Sequence, residues 1–153
     1  MGMLKKLIRL KPRQLLMIPE AIALSAWYRF RVLHCPFSEL SPKIGKLGQE
    51  TPVDGPKDPV QIEIKGMVEA VSKRMPWNCN CLTQALTAKK MLSRRGFPST
   101  LYMGVASTPE GNMEAHAWLR CGNRYITGLA GADRFTVTAV YGDYKNPKEG
   151  EWL

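Results

Sequence analysis

Apolar residues recur at helical spacing over residues 13–34, where Ile22, Ala26, Phe30 and Leu33 share a face with Trp27 beside them. Pro12 suits a first helical turn, and Pro19 predicts a kink or a split. Residues 37–47 read as a second short helix. Gly48, Pro52, Gly55, Pro56 and Pro59 crowd the next stretch, so residues 48–59 read as a loop. Asp58 as cap and Pro59 at the first position then start a helix. Its apolar stripe is Ile64, Val68 and Val71, and it ends near Met75-Pro76. Beyond that point the rhythm changes. Asn80 is a good cap, and Leu82, Ala85, Leu86 and Leu92 mark a helix from Cys81 to Arg95, closed by Gly96 and Pro98. Leu101 to Ala106 reads as a strand and residues 109–112 as a turn. Residues 113–121 alternate, with Met113, Ala115, Ala117, Leu119 and Cys121 on one face and Glu114, His116, Trp118 and Arg120 on the other. Gly122-Asn123 is a hairpin turn, and Arg124–Thr127 and Phe135–Tyr141 are further strands. Helices come first, then one helix followed by three or four antiparallel strands. That is an α+β plan.

Length changes the picture little. A chain of 153 residues is one domain, burying roughly 70% of its unfolded surface around one core. We read a single domain over 1–153: a helical part over 1–47, a loop over 48–59, and a catalytic helix with its sheet over 60–153. Charge changes the picture more. The formal net charge is +9, and residues 1–35 supply +6 of it, from Lys5, Lys6, Arg9, Lys11, Arg13, Arg29 and Arg31 against Glu20 alone. Such an arm favours an anionic partner, an acidic peptide, nucleic acid or lipid surface, against the plainer reading of a solvated basic face. The amino terminus imitates a secretion signal, but Pro19 and Glu20 interrupt its apolar run. No stretch approaches the ~18 apolar residues of a membrane span. The expectation is a cytoplasmic protein with reduced thiols at Cys35, Cys79, Cys81 and Cys121.

Two residues carry candidate chemistry. Cys81 follows a capping residue at a helix start, where unsatisfied N–H groups and the helix dipole favour a thiolate. The same N–H groups suit the oxyanion formed when a thiolate attacks a carbonyl. His116 lies on the polar face of a strand 35 residues later, placed to accept the thiol proton and return it to a leaving amine. The alternative for each is structural, since cysteine usually packs as a small hydrophobe and a strand histidine is often a satisfied one. His34, after a basic amphipathic helix, reads as structural.

The segments WNCNCLTQALTA (77–88), MLSRRG (91–96), LYMGV (101–105) and EAHAWLRCG (114–122) resemble the transglutaminase-like leader peptidases of lasso-peptide biosynthesis. The order and spacing fit from about residue 75 to 141. Arg29, Arg31 and the run Cys35-Pro36-Phe37 add a looser likeness in the first half. The resemblance implies a papain-like fold. It puts the nucleophile on Cys81, which precedes leucine, rather than on Cys79, and the base on His116. The family's third catalytic residue, an acid, usually stands about a dozen residues past the histidine, and here that position is Gly128. The resemblance therefore leaves open whether Asp133 reaches the imidazole or a backbone carbonyl or water orients it. Trp77 and Trp118 are candidate walls of a substrate cleft, with core packing as the alternative, and Gln84 is expected to face solvent. By resemblance the substrate is the leader of a ribosomally made precursor peptide. A separate leader-recognition protein would deliver it, and an ATP-using lasso cyclase would act on the product. The implied reaction needs no cofactor.

Two rivals follow from the residues. A thioester on Cys81 is open to an amine as well as to water, which would make an acyl transferase. A basic module with no chemistry would bind peptide or nucleic acid, although no nucleic-acid motif appears and no DNA partner is expected. A metal site from Cys79, Cys81, Cys121 and His116 is disfavoured, because Cys-x-Cys is not the usual ligand spacing.

Overall fold

The computed structural model describes residues 2–55 and 57–142, without the side chain of Met3. The single domain expected over 1–153 therefore extends at its carboxyl end outside the described residues. In chain order the elements are α1 (Gly2–Ile8), α2 (Pro12–His34), α3 (Phe37–Ile44), β1 (Lys46–Leu47), α4 (Pro59–Arg74), α5 (Cys81–Arg94), β2 (Thr100–Ser107), β3 (Met113–Cys121), β4 (Arg124–Thr127), a 3-10 turn (Ala132–Arg134) and β5 (Thr136–Gly142). The architecture is α+β, as the pattern predicts. The strands form one antiparallel sheet in the order β1-β5-β2-β3-β4.

Local chemistry sets most boundaries. Asp58 caps α4 by accepting from the Val60 N–H at 2.9 Å, with Pro59 at the first helical position. Asn80 caps α5 by accepting from the Thr83 N–H at 2.9 Å. Gly96, at φ +79°, closes α5 as Phe97 N–H reaches back to the Leu92 carbonyl at 3.0 Å. Three features depart from the sequence reading. Pro19 does not split α2, which runs unbroken for 23 residues. The helix buries Met17, Ala21, Leu24 and Ser25 on either side of that proline, and this burial outweighs one missing hydrogen bond. The segment expected as helix to residue 47 ends at Ile44, and Lys46–Leu47 instead pairs with β5. Helix α1 lies in the basic stretch, to which the sequence reading assigns no element.

The core sits between the helices and one face of the sheet. Ala85, Leu86, Ala88, Met91 and Leu92 of α5 join Leu101 of β2, Ala117, Leu119 and Cys121 of β3, Ile126 of β4 and Tyr141 of β5 in one buried cluster. Residues of the second register, Tyr102, His116, Trp118 and Arg120, lie on the other face. The long loop after β1 closes one end of that face. Arg120, only 4% exposed, donates to the carbonyls of Gly122 (2.6 Å) and Thr51 (2.9 Å) and to the Tyr102 hydroxyl (3.0 Å). Thr51 and Thr100 add a hydroxyl–hydroxyl bond of 2.6 Å. A guanidinium buried this way uses its planar fork to hold a loop against a sheet.

Glu20 of α2 ties the other end of α5, accepting from Arg95 at 2.6 Å and Arg94 at 3.3 Å. Burial alone would raise its pKa, but the bonds from Arg95 and Arg94 outweigh it and hold the carboxyl below its ordinary 4.5. A depressed carboxyl contributes stability above its unfolded pKa and loses it as pH falls through the folded value. Glu20→Gln is expected to cost about 1 kcal/mol at neutral pH, with the difference from wild type shrinking as pH falls below about 4.5, read by urea unfolding across pH. Arg120→Lys keeps the charge but loses the fork. It should cost about 2–3 kcal/mol and lower Tm by roughly 5–10 °C, read by calorimetry.

Candidate active site

Cys81 is the first residue of α5, half-buried, with its thiol free. The helix behind it is buried on most sides: Thr83, Ala85, Leu86, Thr87, Ala88, Lys89, Met91 and Leu92 are all inaccessible. It packs against α2, α4, β3 and β4. Its first turn is pinned from three directions. Asn80 holds Thr83 N–H, the Gln84 N–H bonds the Asn80 carbonyl at 3.0 Å, and the Gln84 amide donates to the Cys79 carbonyl at 2.8 Å. Gln84 thus turns back along the chain instead of facing solvent as expected, because a carbonyl left outside the helix needs a donor. Among the described residues the N–H groups of Cys81 and Leu82 have no acceptor.

His116 lies in the first half of β3, opposite Gly104 of β2. Strand β4 pairs only with Leu119–Cys121, so beyond Thr127 that half of β3 forms the edge of the sheet. The chain then turns at Gly128, at φ +73°, passing so close to β3 that a Cβ there would lie 2.4 Å from the Ala117 carbonyl oxygen. Only glycine fits. The close passage brings the Gly128 carbonyl 2.7 Å from His116 Nε2. A carbonyl only accepts, so Nε2 carries the hydrogen and the neutral ring keeps its lone pair on Nδ1.

Stacked aromatics fix the ring. Phe135 lies 5.0 Å from it and Trp118 5.8 Å, and Trp118 stacks in turn on Tyr102 at 5.7 Å. Gly104 leaves the room: a Cβ there would come within about 3 Å of Phe135, Trp118 and the Thr136 carbonyl. Burial raises the Tyr102 phenol above its ordinary pKa, against the hydrogen bond and charge of Arg120, which lower it. Trp118 is 6% exposed, with Tyr102 and His116 as ring neighbours, so it braces the imidazole. Trp77 is half-buried and donates to Ser25 Oγ at 3.3 Å, tying the segment before Cys81 to α2.

The remaining sequence candidates fall as follows. Asp133 is exposed in the 3-10 turn, and no hydrogen bond joins it to His116; of the alternatives left open for orienting the ring, the backbone carbonyl is the one in contact. Cys79 is buried. Cys81 Sγ has no hydrogen-bond partner among the described residues, so thiol and imidazole are not joined in this structure. Two buried hydroxyls, Thr83 Oγ1 and Thr127 Oγ1, find no partner among the described residues. The roles of Phe135, Tyr102 and Gly104 were not legible in sequence, because only the strand register makes them neighbours of His116. Among the described residues, no group of three or more His, Cys, Asp or Glu stands close enough to hold a metal ion. No described helix is long and apolar enough to cross a membrane.

The family described as the transglutaminase-like superfamily matches the chain over residues 28–140. No curated protein and no solved structure shows significant similarity to it. The matched span contains Cys81, His116 and Gly128, and a helix opening on cysteine before an antiparallel sheet is consistent with a papain-like fold. The chain belongs to the transglutaminase-like superfamily.

Proposed function

We propose that the chain is a cysteine peptidase that removes the leader from a ribosomally made lasso-peptide precursor, with Cys81 as nucleophile and His116 as general base. The observation that carries the reading is the 2.7 Å contact of His116 Nε2 with the Gly128 carbonyl, which reserves Nδ1 as the base. The superfamily is usually catalytic, as cysteine proteases or acyltransferases, and this supports an enzyme. The leader substrate, a separate leader-recognition protein and a cyclase acting afterwards rest on the likeness of the WNCNCL and EAHAWL segments to lasso leader peptidases.

In this mechanism Nδ1 takes the Cys81 proton and the thiolate adds to the scissile carbonyl carbon. The unengaged N–H groups of Cys81 and Leu82 supply donors to the oxyanion. The imidazolium gives its proton to the amine as the C–N bond breaks, leaving a thioester on Cys81. Water, deprotonated by Nδ1, then releases the leader acid and restores the thiol. The carbonyl of Gly128 holds tautomer and ring plane throughout, the part an acid usually takes. Asp133 has no role.

With the precursor and its recognition protein supplied, mass spectrometry should show release of a leader carboxylic acid. Cys81→Ala and His116→Ala should lower the rate by about a thousandfold or more, while Cys79→Ala and Asp133→Ala stay within about threefold of wild type. A dead Cys79→Ala enzyme with an active Cys81→Ala one would overturn the assignment. A leader amide formed from an added amine, with no acid, would mark an acyl transferase instead.

Gly128→Ala forces a Cβ against the Ala117 carbonyl and moves the acceptor from His116. It should lower kcat by about a hundredfold and stability by about 2 kcal/mol. The histidine resonances in NMR check the bond directly, since the Nε2 proton should lose its downfield shift.

A further inference from the structure

Away from Cys81 and His116, the helical half of the molecule holds a second concave site. A groove of about 1170 Å³ runs between α2, α3, β1 and α5. Its apolar lining includes Leu24, Leu40, Ile44 and Leu86, all buried. Its walls are basic. Arg31 projects from α2, Lys90 from α5, and Lys43 and Lys46 from the α3–β1 end. Lys43, Lys46 and Lys90 are exposed and make no ion pair among the described residues. Arg31 lies over the Trp27 ring at 5.7 Å, and that ring is 54% exposed at the rim. Two further cations on the wall are already engaged: Lys89 donates to the Ser99 carbonyl at 2.8 Å, and Arg94 pairs with Glu20. Lys90 is nine residues along α5 from Cys81, about 14 Å at 1.5 Å per residue. Neither Cys81 nor His116 is among the residues that line the groove, so it is distinct from the candidate active site.

We propose that this groove binds an acidic peptide segment in extended form. Charge complementarity selects the sign of the ligand, since four available cations face it. One feature selects a peptide over a nucleic acid. The two-residue strand β1 pairs with β5 on one side only, so among the described residues its outer edge is open to backbone hydrogen bonds from an added strand. Trp27 and the apolar floor suit hydrophobic side chains between the peptide's acids. This goes beyond the peptidase reading and does not depend on it, because it concerns binding at a different site.

The test uses the full chain carrying Cys81→Ala, so that no probe is cleaved, and a fluorescein-labelled peptide alternating Glu and Leu, followed by anisotropy. Binding should be micromolar and weaken about tenfold between low and physiological salt. Reversing charge in the groove with Lys43→Glu and Lys90→Glu should weaken it about tenfold or more. The same number of reversals outside it, Lys57→Glu with Lys73→Glu, should change it less than about twofold. Circular dichroism confirms that both variants are folded. Equal loss in both pairs, no loss in the groove pair, or tighter binding of single-stranded DNA of the same charge would overturn the proposal. Each of these outcomes leaves the leader-release assay untouched, and failure of that assay leaves this one intact.

Discussion

The site depends on the burial of one helix. α5 is enclosed by two other helices and the sheet, and eight of its fourteen residues are inaccessible, so its axis has no freedom to shift. Its first turn is half-buried, and only Lys90 and Arg94 further along are exposed. A cysteine placed in that first turn inherits the rigidity of the core without being sealed into it, and meets the N–H groups of Cys81 and Leu82, which have no acceptor among the described residues. Asn80 and Gln84 use their polar groups on the preceding chain, which fixes the direction from which the backbone enters. A thiol on a loop would have the same chemistry with none of that positioning.

The imidazole is held by different means. Its ring plane is set by stacking between Phe135 and Trp118, and its tautomer by a backbone carbonyl. A carboxylate in that place would orient the ring and also stabilise the imidazolium by a full charge. A carbonyl dipole orients it with a smaller electrostatic gain. The geometry needs a chain that passes β3 more closely than any Cβ permits, and Gly128 provides it. On the proposed reading, the glycine that stands where an acid is expected lets a backbone carbonyl orient the ring instead.

Among the basic residues two groups contrast. Arg120 and Lys89 are buried and use their donors on carbonyls and hydroxyls, where they hold the loop and the β2 entry to the core. Lys43, Lys46 and Lys90 face solvent along one groove. A formal charge of +9 counts both alike, although an exposed lysine projects a field that a partner can use and a buried, bonded one projects little.

Local codes in the chain determined the elements. Asp58-Pro59, Asn80 and Gly96 mark helix ends because capping is a matter of adjacent residues, and the alternation over 113–121 marks a strand because the pleat has period two. Those codes also singled out Cys81 at a helix mouth and His116 on the polar register of a strand, and the motif resemblance named Gly128 as the place where an acid is missing. Tertiary structure decided what depends on distant residues. Pro19 stays inside α2 because the packing of Met17, Ala21, Leu24 and Ser25 around it outweighs one lost bond. Lys46–Leu47 becomes a strand because β5, nearly a hundred residues later, offers it an edge. The partner of His116 is a carbonyl and not Asp133, because the close crossing at Gly128 is set by how β4 ends against β3. Sequence specifies a residue's local conformation directly, but which groups meet across the fold follows only from register and packing.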